Sequence, residues 1–373
     1  MALLFRWLLR LVSVMIFLVV GAFGLTYYFA SRSLPDYDAK SAVLGLNAPV
    51  EIVRDNANVP HIFGENDADV YFALGFAHAQ DRMWQMTMLR RTAQGRLSEL
   101  FGERTLEIDK VIRRYDIYNL AVASVDVQDE TTTVALDAYA AGVNAWLAEV
   151  NAGSRGRGAP EMWLFNHPVS PWQAADSLAI LKLMALQLSS HLEREVLRAR
   201  ASLMLPSDRL ADLLPDDPST GVAALPDYAQ LVPNLPRYTP NMRMAFGPLN
   251  PSKMPELAGA SNSWAASIDR SAAGATLLAN DPHLGLTAPT IWYLARLELQ
   301  SGGIIGGTIP GMPIVLTGRS ADLGWGLTSS YLDDQDVFLE ELNPDNTTEY
   351  RTQNGWTPFR TRESIVRVKD APA

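Results

Sequence analysis

Cysteine is absent from this 373-residue chain, which excludes disulfides, thiolate metal sites and cysteine nucleophiles. Histidine is scarce, and no two of the five histidines have the H-x-x-x-H spacing of a zinc site. Basic residues are outnumbered, with 31 Lys+Arg against 41 Asp+Glu and a net charge of −10, which disfavours general nucleic-acid binding. No P-loop motif occurs. The composition, 48% hydrophobic and 19% charged, is that of an ordinary globular protein.

A long hydrophobic run does occur near the N-terminus. Residues 11–30, LVSVMIFLVVGAFGLTYYFA, carry no charge and are long enough to span a bilayer. Arg6 and Arg10 precede this run, which places the N-terminus in the cytoplasm and the remainder of the chain outside it. Residues 1–33 are therefore a signal peptide or a signal anchor. The length of the run and the lack of an A-x-A site favour the anchor, and a buried core helix is the alternative. We expect a periplasmic protein or one anchored in the cytoplasmic membrane.

The first part of the chain reads as mostly helical over residues 34–205. Residues 50–63 predict two strands around a turn at Asp55-Asn56. A helix is predicted from a cap at Asn66 or Asp67 to Gly102, followed by helical sequence over 105–150 and a long helix over 172–204.

The composition then changes twice. Residues 206–260 hold 10 of the 23 prolines, a density that predicts a spacer instead of a packed domain. From residue 261 the sequence consists of short apolar runs bounded by Gly, Pro and Asp, which predict strands. They are SNSWAASID, GATLLAND, TIWYLARLEL, GGIIGGTI, PIVLTG and DVFLEEL, and the C-terminal ESIVRVKDAPA also reads as a strand and its turn. Helices followed by strands indicate an α+β fold.

The chemistry is predicted at the end of the spacer, where Ala258-Gly259-Ala260 leads into Ser261. A serine needs a base to act as a nucleophile, and the chain has no G-x-S-x-G elbow. If the bond before Ser261 were cut, the new α-amine would lie within reach of the serine hydroxyl. With a pKa of about 7.7–8.0, much of that amine would be neutral near pH 7–8 and able to take the proton.

Three sequence blocks resemble the penicillin acylase family of N-terminal nucleophile hydrolases, which includes cephalosporin acylases and acyl-homoserine-lactone acylases. The blocks begin VRDNANVPHIFGENDADVYFALG, SNSWAASIDRSAAGATLLANDPHLG and PGMPIVLTGRSADLGWGLTSS. The resemblance runs from about Val50 to the end. It implies an αββα sandwich with a helical α chain, a spacer and the start of a catalytic β chain at residues 261–373.

The resemblance also implies the catalytic residues. Autoproteolysis between Ala260 and Ser261 would leave Ser261 as nucleophile and its α-amine as base, although family members often have Gly at the Ala260 position. His283 would lie beside the nucleophile as a donor, and the backbone N–H of Ser329 would stabilise the oxyanion. The associated α and β chains would then hydrolyse a linear amide of a small N-acyl substrate.

A structural calcium site and an acyl pocket are implied in the same way. The calcium ligands would be Asp333, the Gln335 carbonyl and Asp336, with Glu195 of the α chain as partner and Glu193 as an alternative. Met184, Leu188 and Trp292 are pocket candidates, although their helical or strand spacing is also that of core residues. Trp264 is predicted to be a core residue of the first strand.

Two alternatives remain open. A non-catalytic exported binding module would keep the Ala260–Ser261 bond intact, and a conventional serine hydrolase using Ser261 with His283 would work uncut. The family's second oxyanion donor, an asparagine far downstream of the nucleophile, has no counterpart before Ala373. We therefore expect an N-terminal portion of the family's chain that is inactive or nearly so alone.

Overall fold

The computed structural model describes residues 2–153, 156–165, 168–188, 191–206, 209–210, 212, 261–285, 287–328, 337–338 and 340–371. Helix α1, Ala2–Ser31, contains the predicted apolar run. Within the described residues, its Leu3–Ser31 portion is the one helix long and apolar enough to cross a membrane, and its most apolar stretch is not buried against the rest of the protein. The helix therefore keeps its apolar surface outward, as a membrane span or an export signal does.

The hairpin predicted around Asp55-Asn56 is present. Strand β1, Glu51–Arg54, pairs antiparallel with β2, Pro60–Phe63. The Asp55 carboxylate accepts the backbone N–H groups of Ala57 and Val59, each at 2.9 Å, which closes the turn.

Helix α2, Asp67–Ala93, begins at the predicted cap, where the Asn66 side chain accepts the backbone N–H of Asp69 at 2.9 Å. It ends nine residues before the predicted Gly102, because the chain turns at Gly95 with a φ of +61°. A Cβ at Gly95 would lie 2.7 Å from the Arg113 side chain, so the position requires glycine.

The other predicted helices are also divided. After α3, Ser98–Phe101, and a 3₁₀ turn at Gly102–Thr105, the region 105–150 contains α4, Leu106–Tyr115, α5, Ile117–Val125, and α6, Glu130–Asn151. Asp116, with a φ of 57°, separates α4 from α5. A second 3₁₀ turn follows at Pro160–Trp163. The predicted helix over 172–204 consists of α7, Ala174–Leu188, and α8, His191–Ser202. Of the predicted spacer, only 206, 209–210 and 212 are among the described residues.

Helices α2 and α6 cross at a pair of glycines. A Cβ at Gly142 would lie 1.8 Å from the Phe72 carbonyl oxygen, and one at Gly75 would lie 2.1 Å from the Tyr139 carbonyl oxygen. Neither backbone has room for a side chain at this crossing. The two helices are therefore closer together than any larger residue permits.

We expect Gly142→Ala to lower the free energy of unfolding by about 3 kcal/mol, because its methyl group has to push two helix backbones apart. Urea unfolding of the purified protein in detergent measures this loss. Asp137→Ala, at an exposed site on the same helix, is the matched control and should change stability by about 0.5 kcal/mol or less. Equal effects of the two variants would contradict the close crossing.

The main sheet has six strands in the order β1-β2-β5-β6-β7-β8. Its later strands are β5, Tyr293–Leu299, β6, Gly302–Thr308, β7, Val315–Arg319, and β8, Gly324–Trp325. Strand β2 pairs parallel to β5, with His61 opposite Arg296, and the other pairs are antiparallel. The hairpin that precedes Ser261 in sequence thus shares one sheet with strands that follow it.

Two smaller sheets complete the described strands. Strands β3, Ser261–Ala266, and β4, Leu277–Pro282, form an antiparallel ribbon. Strands β9, Leu342–Asn343, β10, Asn346–Thr352, and β11, Gly355–Pro358, form a three-stranded sheet. The α+β prediction is confirmed. Only one large sheet lies within the described residues, so the four-layer sandwich stays a prediction.

Three local predictions in this part are wrong. Of the described residues in DVFLEEL, only Leu342 lies in a strand. The C-terminal segment has its predicted turn, at residues 369–370, but no strand precedes it; residues 363–368 lie along α3 instead, where the Ser98 hydroxyl donates to the Arg367 carbonyl at 2.9 Å. Trp264 is 56% exposed instead of buried, because the described residues leave its face of the two-stranded ribbon uncovered.

The hydrophobic core lies between the main sheet and helices α2, α6 and α7. Its largest fully buried side chains include Ile62 and Leu297 from the sheet, Trp146 from α6 and Ile180 from α7. A smaller cluster joins α7 to α4 and α5 through Ile112, Ala121 and Leu183, among others.

A chain of hydrogen bonds crosses this core in one direction. The Gly311 N–H donates to the Tyr139 hydroxyl at 2.8 Å, and the Thr308 hydroxyl donates to the Tyr293 carbonyl at 2.6 Å. His78 joins the two halves, with Nδ1 at 2.8 Å from the Tyr139 oxygen and Nε2 at 2.9 Å from the Thr308 oxygen. Since Thr308 has already given its proton, His78 donates from Nε2 and accepts at Nδ1, which is the neutral form.

Burial lowers the pKa of His78 to about 3, with a further contribution from the nearby Arg82 charge. In the unfolded chain this histidine takes up a proton below its ordinary pKa of about 6.5, whereas in the folded protein it stays neutral down to about pH 3. The stabilisation of the folded state by the neutral His78 is therefore complete above about pH 6.5 and is lost as the pH falls towards 3. We expect the free energy of unfolding to fall by about 1.4 kcal/mol per pH unit between pH 6 and 4 through this residue.

His78→Gln should lower stability at pH 7.5 but flatten its dependence on pH, because no proton is then taken up at this site on unfolding. Urea unfolding at pH 7.5, 6 and 5 measures both effects. Asn354→Ala, at an exposed residue that does not titrate, is the control and should keep the wild-type slope. A His78→Gln slope equal to that of the wild type would contradict the assignment.

Candidate active site at the start of strand β3

Ser261 is the first residue of β3, where it pairs with Pro282 of β4 and is half-buried. Its hydroxyl lies 2.7 Å from the hydroxyl oxygen of Thr328. The Thr328 hydroxyl donates to the Ser261 carbonyl oxygen at 3.1 Å. Because Thr328 has a single proton to give, Ser261 is the donor of the hydroxyl–hydroxyl bond. Thr328 therefore fixes both the main chain and the side-chain direction of the predicted nucleophile.

Asn280, in β4, ties the start of β3 to the segment that carries Thr328. Its Nδ2 donates to the Asn262 carbonyl at 3.0 Å and to the Leu327 carbonyl at 2.8 Å, while its Oδ1 accepts the Leu327 N–H at 3.2 Å. A Cβ at Gly326 would lie 2.8 Å from both the Asn280 Cβ and the Ser263 hydroxyl oxygen. The glycine lets the 326–328 segment lie directly against the ribbon.

His283 follows the residue that pairs with Ser261. Its Nε2 lies 2.8 Å from the Asp281 carboxylate, and the side chains of the two residues are 43% and 73% exposed. Both therefore stand at the surface of the described residues, at the end of the ribbon where Ser261 lies. The role of His283 as a donor to the nucleophile stays a prediction.

The predicted oxyanion donor, Ser329, lies outside the described residues, as do residues 251–260 before the nucleophile. The residue preceding Ser329 in sequence is Thr328, which contacts Ser261. The described part of the site is thus the nucleophile, its ribbon and the chain up to the residue before the predicted donor.

The predicted calcium ligands fall into two groups. Asp333, Gln335 and Asp336 lie outside the described residues. Glu195, in α8, accepts the backbone N–H of Val337 at 2.9 Å through Oε2. Among the residues that the structure describes, no group of three or more His, Asp and Glu side chains is placed to hold a metal. The described geometry therefore brings Glu195 to the residue that follows Asp336 in sequence.

The three pocket candidates have different surroundings. Met184 is 7% exposed in the main core, and Leu188 is 41% exposed in the last turn of α7. Trp292 is half-buried against the core, with its ring 2.9 Å from where a Cβ at Gly307 would lie. The acyl pocket stays a prediction.

Asn280 and Thr328 are the two site residues that the sequence reasoning missed. Both lie inside the sequence blocks that resemble the family, in ANDPHLG and WGLTSS. Nothing in the spacing of the blocks predicts that these two side chains join them. An asparagine in a short strand and a threonine after a Trp-Gly pair were the only signals.

Comparison with known proteins gives consistent matches. The sequence model of the family described as Penicillin amidase matches residues 49–373. Acyl-homoserine lactone acylase QuiP of Pseudomonas aeruginosa is 31% identical over 344 residues, covering 90% of this chain and 40% of that protein. Penicillin acylase 2 proenzyme of Pseudomonas sp. is 29% identical, covering 90% of this chain and 43% of that protein.

One solved structure is also similar. A thermostable penicillin G acylase from Alcaligenes faecalis is 27% identical, with a TM-score of 0.41, and the match covers 48% of this chain and 98% of that chain. The present chain spans about two fifths of the length of the two curated relatives above.

Proposed function

The chain belongs to the penicillin amidase family, and from that premise we propose that it carries the nucleophile of a hydrolase acting on linear amides. In the proposed activation, the Ser261 hydroxyl attacks the Ala260 carbonyl and the acyl group moves from the serine nitrogen to its oxygen. Water then hydrolyses the ester. This releases Ala260 as a carboxylate and leaves Ser261 with a free α-amine.

The mature reaction uses the same hydroxyl. The neutral α-amine takes the proton of the Ser261 hydroxyl while the Ser261 Oγ attacks the amide carbonyl. The protonated amine then gives that proton to the leaving nitrogen. Water releases the acyl group from Ser261 as a carboxylic acid by the same proton path. The observation that carries the proposal is the Ser261 hydroxyl, half-buried at the head of a strand and 2.7 Å from Thr328.

The negative charge of the tetrahedral intermediate needs donors that are in place before the reaction. We assign one to the backbone N–H of Ser329. This assignment is supported by Asn280, whose side chain hydrogen-bonds both the N–H and the carbonyl of Leu327. The main chain two residues before Ser329 is therefore held in a fixed position. His283, at the end of the same ribbon, is the proposed donor to the nucleophile.

The substrate class is proposed from the relatives' names. One is named for acyl-homoserine lactones and the other for penicillin, and both compounds are amides of a carboxylic acid with a small polar amine. We propose a small N-acyl substrate of that kind; a β-lactam side chain, an acyl-homoserine lactone and an N-acyl amino acid all fit. Met184, Leu188 and Trp292 remain the candidates for contacts to the acyl group.

The first test is the intact mass and N-terminal sequence of the protein as its gene encodes it, expressed with residues 1–33. A new N-terminus at Ser261 is the expected result. An uncut protein that hydrolyses amides would favour the Ser261–His283 alternative, and an uncut protein without activity would favour a binding module.

The two products of cleavage would stay together. Strand β2 belongs to the chain before Ser261 and pairs with β5 from the chain after it, through His61 to Phe63 opposite Arg296 to Glu298. Separating them would break a central strand pair of the main sheet and open its core. We therefore propose that the α and β chains remain associated after cleavage.

A calcium ion is proposed as a structural part of the same protein. Glu195 is oriented by the Val337 N–H beside the acidic run, and carboxylate and carbonyl oxygens are the ligands calcium prefers. Asp333, the Gln335 carbonyl and Asp336 would complete the protein ligands, and the ion would offset the repulsion between their charges.

We expect chelation by EGTA to lower the melting temperature by several degrees and Glu195→Gln to reduce that difference, because a bound ion stabilises the folded state by mass action. Differential scanning fluorimetry with and without 1 mM calcium measures both. Glu193→Gln is the matched control two residues away. If Glu193→Gln removes the calcium effect and Glu195→Gln keeps it, the assignment of the α-chain ligand is wrong.

Export is proposed from α1 and from the two charges near its start. Arg6 and Arg10 lie in the first turns of α1, before its uncharged run at residues 11–30, and this arrangement leaves the positive end in the cytoplasm. The region with Ser261 would then act in the periplasm.

A further inference from the structure

The end of α1 is packed against the rest of the protein. The helix ends at Ser31, and Ser33, two residues later, is 2% exposed. The Ser33 hydroxyl accepts from the Trp163 ring nitrogen at 3.2 Å and from the Arg157 backbone N–H at 3.4 Å. These bonds join the chain that leaves α1 to the 3₁₀ turn Pro160–Trp163 and the residues before it.

The junction is close-packed on its other sides as well. A Cβ at Gly156, which has a φ of +58°, would lie 2.9 Å from both the Arg32 carbonyl oxygen and the Ser33 hydroxyl. The centre of the Phe29 ring lies 5.0 Å from that of the Trp163 ring, and the Arg157 guanidinium lies over the Trp163 ring, 5.1 Å from its centre. A flexible tether needs none of these contacts. The direction in which α1 leaves the protein is therefore fixed.

Exposed apolar side chains surround this exit. Leu34 is 60% exposed, Trp163 38% and Leu164 80%. We call these three residues, with Arg32 and Arg157, the collar. Large apolar side chains next to Trp and Arg have the composition of the interface between a bilayer and water.

We propose that α1 is retained in the mature protein and that the collar rests on the outer surface of the lipid bilayer. The argument is geometric: a spanning helix leaves the hydrocarbon at its end, so side chains packed around that end lie at the headgroups. Removing α1 would also uncover Trp163 and free the chain at Ser33. The inference rests on the export proposed above and is independent of amide hydrolysis.

Burial of the collar's apolar side chains provides most of the attraction between the collar and the bilayer. Arg32 and Arg157 face anionic headgroups favourably, but Glu161 lies in the same 3₁₀ turn as Trp163 and offsets part of that charge. We therefore expect the collar to contact zwitterionic lipid as well as anionic lipid.

The absence of cysteine makes a direct test possible. A single cysteine at Leu164, labelled with the environment-sensitive fluorophore NBD, reports on the collar, and one at Val127 is the matched control. Val127 is 77% exposed and precedes α6, whose other end leads to Gly156. Helix α6 has 22 residues and is therefore about 33 Å long, and Val127 lies beyond the end that is far from Gly156. The full chain is placed in phosphatidylcholine nanodiscs with or without doxyl-labelled lipid.

The label at Leu164 should be blue-shifted and quenched severalfold more by doxyl lipid than the label at Val127. Gly156→Ala, which forces the junction apart, should reduce quenching at Leu164 while the protein stays in the nanodisc. Equal quenching at both positions would overturn the collar. N-terminal sequencing of the natural protein should begin at Met1 or Ala2, and a start within or after the apolar run of α1 would overturn its retention. Neither readout requires hydrolysis, so failure of the proposed reaction leaves both unchanged.

Discussion

In the protein as its gene encodes it, replacing Ser261 with alanine should leave the chain uncut after Ala260 and abolish amide hydrolysis. The variant removes the one oxygen that the proposal uses both for self-cleavage and for attack on the substrate. Loss of a nucleophile costs on the order of 10⁶-fold in rate in serine hydrolases, and here the α-amine base would also be missing because it forms only on cleavage. Intact mass gives the first effect, and the rate of acid release from an N-acyl substrate gives the second.

Ser267→Ala is the matched control, because Ser267 lies six residues on, is exposed, and makes no side-chain capping bond to the 3₁₀ turn at Ile268–Arg270. It should be cut and active as the wild type is. A Ser261→Ala protein that is still cut at Ser261 would show that another protease makes the cut. The variant His283→Ala distinguishes the proposed mechanism from a conventional serine hydrolase. A hydrolase that uses Ser261 with His283 loses its base and nearly all activity, whereas an enzyme that uses the α-amine keeps its base.

Local elements of the fold were predictable where one side chain decides them. Asp55 closes its turn with bonds to the next few residues, and Asn66 caps α2 with a bond to Asp69. Such bonds are short in sequence, so the pattern of residue types is enough to predict them.

The end of α2 was predicted at the wrong glycine for a tertiary reason. Both Gly95 and Gly102 have positive φ angles, and either stops a helix. Gly95 ends it first because Arg113, 18 residues later, packs against it and donates to its carbonyl at 2.8 Å. The prediction that Trp264 is a core residue was wrong for a similar reason, since the burial of a strand residue depends on what covers the strand and not on the strand's own sequence.

In the candidate active site, too, contacts between distant segments could not be predicted from the sequence. The motif around Ser261 predicted the position of the nucleophile at the head of a strand, and the structure has β3 begin there. It did not predict that Thr328 and Asn280 fix that serine, because their contacts join segments far apart in sequence. The parallel pairing of β2 with β5 was beyond prediction for the same reason.

Asn280→Ala should lower the rate of amide hydrolysis by about 10²-fold with little change in KM. The variant deletes three hydrogen bonds at once and so releases Leu327, the residue two positions before the proposed oxyanion donor. Displacements of about 1 Å in a catalytic group cost on this order because the transition state needs its donors already in place. Steady-state kinetics of the cut protein, expressed as its gene encodes it, give kcat and KM separately.

Asn280→Asp sharpens the test, because it keeps the shape of the side chain and the acceptor for the Leu327 N–H. It replaces the amide donor by a carboxylate oxygen facing the carbonyls of Asn262 and Leu327, which repels both. A loss similar to that of alanine would identify the two donated bonds as the important ones. Asn354→Ala, at an exposed turn between β10 and β11, is the control for losing an asparagine side chain.

The rate of self-cleavage distinguishes a positioning role of Asn280 from a role in stability alone. A merely structural Asn280 would lower the melting temperature, and the folded fraction would still cut itself at the normal rate. A positioning Asn280 slows the cut as well, because the precursor needs Ser261 and the 326–328 segment in the same relation. Thr328→Val should then slow cleavage too, since it removes the hydroxyl that contacts Ser261 at 2.7 Å, whereas Thr328→Ser should restore it. If Asn280→Ala is less stable but cleaves and hydrolyses within about twofold of wild type, the link between β4 and the site is structural only.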